Sequence, residues 1–120
     1  MEVKFESQIT AVGEHARTFL ETNSSVIILN EGIRPNLDNM VVRHTVTELK
    51  ADIEVGDRLK MGNTEFKVVT VGELACQGIR EEGHCTIVVN EEITMPGQIA
   101  VKGAIPPRLR LGDIIQFYKK

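Results

Sequence analysis

The residues of this sequence that are best suited to chemistry are its three histidines, His15, His44 and His84. An imidazole titrates near neutrality, and an unprotonated ring nitrogen is a competent nucleophile. The sequence has no glycine-rich phosphate loop, no cysteine or histidine pair at zinc spacing and no nucleophile-elbow serine. Its carboxylates are scattered through polar segments, where solvation is their ordinary role. Histidine is therefore the residue type at which a chemical site is expected.

His44 lies in residues 40–49, a segment whose composition predicts a strand. Alternation along a strand predicts two faces: Val42, His44 and Val46 on one, and Arg43, Thr45 and Thr47 on the other. A polar ring between two valines breaks the local pattern, and functional residues tend to lie at such breaks. The residues alone leave two interpretations open, a hydrogen-bonded structural histidine and a reactive one.

The other two histidines have ordinary explanations as well. His15 lies in a predicted first helix, four positions before Phe19, where an exposed or half-packed histidine is common. His84 follows Gly83, which can take the left-handed conformation that ends a helix and so place His84 on the rim of a loop. Capping of the helix and participation in a site both stay open for His84.

An internal duplication organises the chain. Val-Gly-Glu-His-Ala at 12–16 matches Val-Gly-Glu-Leu-Ala at 71–75, a separation of 59 positions. Asn-Glu recurs 60 positions apart, at 30–31 and 90–91, and Val-Gly-Asp at 55–57 matches Leu-Gly-Asp at 111–113. Three matches in the same order predict one domain, 1–120, built from two similar halves of about 1–61 and 62–120.

The duplication pairs His15 with Leu74, which suggests a packing position for that residue. It places His44 against residues 100–103 and His84 against about Ser24, none of which is histidine. A function that uses His44 or His84 is therefore asymmetric, unlike the scaffold.

Both halves have the same predicted plan of about four short strands and one short helix. The predicted strands are 3–12, 25–30, 40–49 and 57–61, with counterparts at 64–71, 85–90, 98–103 and 113–118, and the helices are 13–21 and 73–81. Halves of this size need each other to bury their apolar faces. We therefore expect a mostly-β fold, a small closed barrel with pseudo-twofold symmetry, because closure removes exposed strand edges. A two-sheet sandwich is the alternative.

Composition excludes several other classes of protein. The net charge of −3 comes from interspersed residues, without the basic stripe of a nucleic-acid binder. No run approaches the roughly 20 apolar residues of a membrane helix, and the first residues lack the order of a signal peptide. With a cytoplasmic location, Cys76 and Cys85 are expected to be free thiols.

Several motifs together resemble one known family. They are Asn-Glu-Gly at 30–32, the strand with His44 followed by Glu-Leu-Lys at 48–50, Val-Gly-Glu at 71–73, Gly-His-Cys-Thr at 83–86, Met-Pro-Gly at 95–97 and Val-Lys-Gly-Ala-Ile-Pro at 101–106. In this order, and over nearly the whole chain, they resemble the glucitol/sorbitol-type enzyme IIA of the bacterial phosphotransferase system.

The resemblance implies a cytoplasmic phosphocarrier. It would accept a phosphoryl group on His44 from the histidine-containing phosphocarrier protein and pass it to the IIB component of a sugar-alcohol permease. No cofactor or metal is implied, and a homo-oligomer is possible. The alternative is a non-catalytic binding or regulatory barrel with the same fold.

Phosphoryl chemistry on His44 would need donors for the phosphoryl oxygens, and His84, Thr45 and Thr47 are the candidates. Arg43 is expected to dock a partner or to have no role. A carrier must release its load, so we expect His44 to be partly exposed in a shallow depression that it shares with His84. Four residues could supply an apolar rim: Ile33, Met40, Val42 and Val46.

Overall fold

Eight strands close into a barrel in the order β1-β3-β2-β6-β7-β5-β4-β8, in a computed structural model that describes residues 1–120. The strands are β1 Glu2–Val12, β2 Ser25–Asn30, β3 Val42–His44, β4 Arg58–Met61, β5 Thr64–Val71, β6 Cys85–Val89, β7 Gln98–Lys102 and β8 Ile114–Lys119. The helices are α1 Ala16–Asn23 and α2 Ala75–Glu82, and a 3₁₀ turn spans Pro35–Leu37. The predicted closed barrel is confirmed, and the sandwich alternative is wrong.

Equivalent strands of the two halves are paired in the same register. In the first half Ile9 pairs with His44, and in the second half Val68 pairs with Val101. A register shift follows each of these pairs at the same position, between Ile9 and Ala11 and between residues 68 and 70. The structural counterpart of His44 is therefore Val101, inside the range expected from the duplication.

The Gly-Asp segments interlock the two halves. The N–H of Gly56 donates to the carbonyl of Val68, and the N–H of Gly112 donates to the carbonyl of Ile9. Each segment thus binds the first strand of the opposite half. Backbone polar groups at these turns are satisfied only when both halves are present, which explains why the duplication closes into one barrel.

The interior of the barrel is filled by a single apolar cluster of 22 buried residues. Its aromatic members are Phe5 on β1, Phe66 on β5 and Phe117 on β8. Phe5 packs edge-on against His44, with ring centroids 5.6 Å apart. The core therefore holds the candidate histidine from within.

Both helices begin later than predicted, at Ala16 and Ala75 instead of 13 and 73. The cause is the glycine at the end of each first strand. The N–H of Gly13 donates to Val41 and the N–H of Gly72 donates to Gln98, so the chain crosses the neighbouring segment before it turns into the helix. A Cβ on either glycine would lie 2.6 Å from a backbone carbon of that segment.

The predicted strand 40–49 is also wrong in length, since β3 covers only Val42–His44. The ladder with β1 ends because the N–H of Gln8 donates to the Thr45 hydroxyl at 3.0 Å instead of to a carbonyl. The Asn-Glu match is out of register by one: Glu31 and Asn90 make the equivalent backbone bonds, to His44 and Val101.

No helix of the chain has the length and apolar character required to cross a membrane.

Candidate functional site

His44 is sealed inside the barrel wall, with 0% of its surface exposed. Its Nε2 atom lies 2.8 Å from the carbonyl oxygen of Gly83, and its Nδ1 atom lies 2.9 Å from the carbonyl oxygen of Thr45. The expectation of a partly exposed ring in a shallow depression is therefore wrong. Contacts with the Gly83 corner and with Phe5 cover the ring that the carrier role led us to expect at a surface.

The contacts of His44 constrain its protonation. A neutral imidazole has one N–H and one lone pair, so it donates to only one of two carbonyl oxygens. If the proton is on Nε2, the ring donates to Gly83; if it is on Nδ1, the ring donates to Thr45 and the Nε2 lone pair faces an oxygen 2.8 Å away. Each tautomer therefore leaves one ring lone pair facing a carbonyl oxygen, and the second tautomer is the one with a nucleophilic Nε2.

Gly83 covers His44 at the corner where α2 ends and β6 begins. It is the C-terminal cap of α2, with φ +62°, and its N–H donates to the carbonyl of Ile79. A Cβ at this position would lie 2.7 Å from His44 Cε1 and still closer to Asn30 Oδ1. Only glycine fits both the left-handed conformation and the close approach. The Asn30 Oδ1 atom beside it is buried and has no hydrogen-bond partner.

His84, the next residue, is exposed and lies on the outer side of the same corner. Together with Arg34, Leu37 and Glu82 it lines a surface cavity of about 240 Å³. His44 is not part of that lining, so the expected shared depression is wrong; the two histidines are linked instead through the Gly83 backbone. The structural counterpart of His84 is Ser25, one position from the expected Ser24.

An ion pair between Arg34 and Glu82 forms the other wall of this cavity. The Arg34 guanidinium donates to both carboxylate oxygens, with N–O distances of 2.5 and 3.0 Å. The hydrogen bond from Arg34 lowers the pKa of the Glu82 carboxyl, and the bond to Glu82 raises the pKa of Arg34. The pair ties the loop after β2 to the last turn of α2, directly before Gly83.

The predicted supporting threonines occupy different positions. Thr45 is half-buried; its hydroxyl accepts from Gln8, and its carbonyl faces His44 Nδ1. Thr47 is half-buried, and its hydroxyl forms no hydrogen bond within the chain. Thr45 thus orients the ring from the side opposite to Gly83, whereas nothing links Thr47 to it.

Arg43 does not dock a partner, because it is 5% exposed and fully engaged. Its guanidinium donates to the carbonyls of Asn30, Ile33 and Arg34 and forms an ion pair with Asp38. This buried cation fixes the loop that presents Arg34.

Of the four rim candidates, Met40 and Val46 are exposed, Ile33 is half-buried and Val42 is buried in the core. His15 is the N-cap residue of α1 and Leu74 is that of α2, and both are exposed, so the packing position suggested by the duplication is wrong. Cys76 and Cys85 are free thiols. No three His, Cys, Asp or Glu side chains are grouped as metal ligands.

The fold and this site define a class: a small duplicated β-barrel with one interior histidine under a helix corner. Comparison with known proteins narrows the class. A family model described as PTS system glucitol/sorbitol-specific IIA component matches residues 4–116. The chain therefore belongs to this family of phosphotransferase-system components, which are phosphoryl-transfer carriers.

Curated relatives and a solved structure agree with this family. The PTS system glucitol/sorbitol-specific EIIA components of Shigella flexneri and of Escherichia coli (strain K12) are each 29% identical to the chain over 119 residues, which is 98% of the chain and 96% of each relative. The crystal structure of a PTS system IIA component from Enterococcus faecalis V583 has a TM-score of 0.86 at 20% identity and covers 95% of the chain and 99% of its own length. At that identity the last comparison supports the fold alone.

Proposed function

We propose that this chain carries its phosphoryl group on His44, in the cytoplasm, between the histidine-containing phosphocarrier protein and the IIB component of a sugar-alcohol permease. Membership of the IIA family supports the relay. The observation that carries the assignment to His44 is its pair of ring contacts, one with the carbonyl of its own neighbour Thr45 and one with Gly83 at a surface corner.

In this proposal the closed arrangement is a resting state. Nucleophilic attack on phosphorus requires an unprotonated nitrogen and an in-line approach, and the Gly83 carbonyl occupies that approach to Nε2. Displacement of the Gly83 corner frees Nε2, while Thr45 keeps the proton on Nδ1. The ring then reacts through Nε2, without a change in the contact that orients it.

The position of the corner in the fold allows it to move. Gly83 is buried against Asn30 and His44, but its chain neighbours are the half-buried Glu82 and the exposed His84, so a partner can reach the corner from outside. In the open state, His84 and Arg34 are the two groups nearest this corner that can donate to phosphoryl oxygens. Charge-assisted bonds of this kind contribute about 1.5–3 kcal/mol each when formed. Thr45 acts in this proposal through its carbonyl, which orients the ring, and no role is assigned to Thr47.

The alternative is a binding or regulatory barrel that does not transfer phosphoryl groups, and the sealed ring of His44 favours it. One experiment separates the two. The protein is incubated with phosphoenolpyruvate, enzyme I and the phosphocarrier protein, and its intact mass is measured before and after acid treatment. A single acid-labile phosphate that is lost in His44→Ala and retained in His15→Ala supports the proposal.

Two other results would count against the assignment to His44. A phosphate that is lost in His84→Ala but retained in His44→Ala would place the phosphoryl group on the exposed ring. An unmodified wild-type chain beside a labelled control IIA would favour the binding barrel. Circular dichroism of each variant distinguishes a lost acceptor from a lost fold.

A further inference from the structure

A cavity of about 590 Å³ lies between helix α1 and residues 106–110, and neither His44 nor His84 belongs to its wall. Small-molecule pockets typically span about 300–1,000 Å³. Four residues of α1 and its cap form one side: Arg17, Leu20, Glu21 and Ser24. Two prolines, Arg108, Leu109 and Arg110 form the other side.

The pseudo-twofold symmetry shows that this cavity is not a by-product of the fold. In the equivalent place of the second half, α2 packs against residues 50–54. Arg80 forms an ion pair with Asp52 at 2.7 Å there, and the N–H of Ile53 contacts Cys76 Sγ at 3.4 Å. These bonds join the helix to the segment in the second half.

The first half lacks the bond equivalent to the Arg80 ion pair. Glu21 and Arg108 occupy the positions of Arg80 and Asp52, with the charges exchanged. Arg108 pairs with Asp113 instead, at 3.2 Å, and Glu21 forms no ion pair. A hydrogen bond from Arg17 to the Leu109 carbonyl joins the helix to the segment here. The space that is bridged in one half is therefore open in the other.

The open cavity concentrates positive charge on an acidic chain. Three arginines and one glutamate line it, in a protein of net charge −3. Arg110 is exposed and has no ion pair. The N–H groups of Leu109 and Arg110 have no acceptor in the chain, whereas those of the equivalent Ile53 and Glu54 donate to Cys76 and Asp57. The cavity wall thus has two kinds of hydrogen-bond donor without an acceptor in the chain: the Arg110 guanidinium and the backbone N–H groups of Leu109 and Arg110.

We propose that this cavity binds a small phosphate monoester with a hydroxylated body. A guanidinium fork matches phosphate geometry and binds it in a bidentate manner. Arg17 and Arg110 would hold the phosphate, and the Glu21 carboxylate would accept hydrogen bonds from hydroxyl groups. The apolar surfaces of Leu20 and Pro106 would pack on the carbon chain. His44 does not line this cavity, so binding here can be tested independently of whether His44 accepts a phosphoryl group.

Titration calorimetry and amide chemical shifts of the full chain test this site, with glycerol 3-phosphate, inorganic phosphate and glycerol as probes. We expect glycerol 3-phosphate to bind more tightly than about 1 mM, inorganic phosphate to bind less tightly and glycerol not to bind. The shifted amides should include those of Leu109 and Arg110. The proposal is overturned if the wild type binds glycerol 3-phosphate more weakly than about 1 mM. It is also overturned if the shifted amides lie on another surface.

Variants identify the contacts. Arg110→Ala should weaken the binding of glycerol 3-phosphate by about tenfold, the loss expected for a charge-assisted bond. Because Arg110 is exposed and has no ion pair, its removal should leave the fold intact. Arg80→Ala removes the same charge at the bridged counterpart of this cavity and should leave the affinity unchanged. Glu21→Gln should reduce the preference for glycerol 3-phosphate over inorganic phosphate. Equal affinities in wild type and Arg110→Ala overturn the proposal.

Discussion

His44 Nε2 lies 2.8 Å from the carbonyl oxygen of Gly83, the residue that caps helix α2. The proposed nucleophile is therefore blocked by the end of helix α2. The ring cannot present an unprotonated Nε2 to a partner until the Gly83 corner moves. The Arg34–Glu82 ion pair and the exposed His84 lie on the outer side of the same corner. A visiting protein that contacts this surface would act on the ring without touching it first.

The close approach at Gly83 makes its replacement costly. Gly83→Ala adds a Cβ 2.7 Å from His44 Cε1 at φ +62°, so we expect a loss of about 2–4 kcal/mol in the free energy of unfolding, from strain and displaced neighbours together. Gly32→Ala is the matched control, because Gly32 has φ +83° with nothing within 4 Å of the added Cβ. Urea unfolding of both variants measures the difference. Equal losses would show that Asn30 and His44 accommodate the added Cβ at little cost.

The ion pair beside the corner should slow phosphoryl loading. Glu82→Gln removes the charge that holds Arg34, so the corner opens more readily and Arg34 is free for the phosphoryl oxygens. We expect loading to accelerate by up to about fivefold, because an exposed pair restrains only weakly. Glu81→Gln is the control, since it neutralises the neighbouring residue of the same helix turn. Quench-flow phosphorylation gives the rates, and a slower Glu82→Gln would contradict the role of the pair as a restraint.

The buried cation Lys4 is a second determinant of stability. Its Nζ atom donates to Asp57 Oδ2 at 2.8 Å and to Glu54 at 3.1 Å. Lys4→Met leaves the Asp57 carboxylate buried without its cation, which should cost about 3–5 kcal/mol. Lys67→Met, on the exposed face of β5, should cost little. Adding Asp57→Asn to Lys4→Met should recover part of the loss in a double-mutant cycle.

The same lysine predicts a dependence on alkaline pH. Burial lowers the pKa of Lys4, but the hydrogen bonds to Asp57 and Glu54 and their charges outweigh burial, so its pKa is raised above 10.5. The stabilisation is complete below that value and is lost as pH rises through the raised pKa of the folded state. Lys4→Met should therefore lose this part of the pH dependence, which unfolding curves at increasing alkaline pH would measure.

Tyr118 allows a direct optical titration, because the chain has one tyrosine and no tryptophan. Burial, and then the hydrogen bond from its hydroxyl to Glu65, raise the pKa of Tyr118 to about 12. We expect tyrosinate absorbance to appear near that pH in the folded protein and at a lower pH in Glu65→Gln, where burial still raises the pKa but the hydrogen bond is lost. Circular dichroism at each pH confirms that the barrel is intact. Equal midpoints in the wild type and Glu65→Gln would show that the Glu65 bond does not contribute.

Sequence reasoning succeeded where the signal was local. The Gly-Asp segments, the glycines at 13 and 72 and the period-two strands are short-range patterns, and they predicted the duplicated barrel. It failed for the length of β3, because a side chain of Thr45 replaces a backbone acceptor for Gln8. It also missed Arg43 and Lys4 as buried cations, since a charged residue on a strand is ordinarily solvated.

By itself, the sequence determined the architecture and the family of this protein. Repeated motifs and strand alternation are patterns of residues that are adjacent along the chain, so they can be recognised without knowing the tertiary contacts. Only the tertiary structure decided that His44 is covered, that Gly83 covers it and that His84 stays outside. The contact joins residues 39 positions apart, and burial is a property of everything packed around a side chain. The same holds for the cavity at Arg110, which exists because one ion pair formed in the second half has no equivalent in the first.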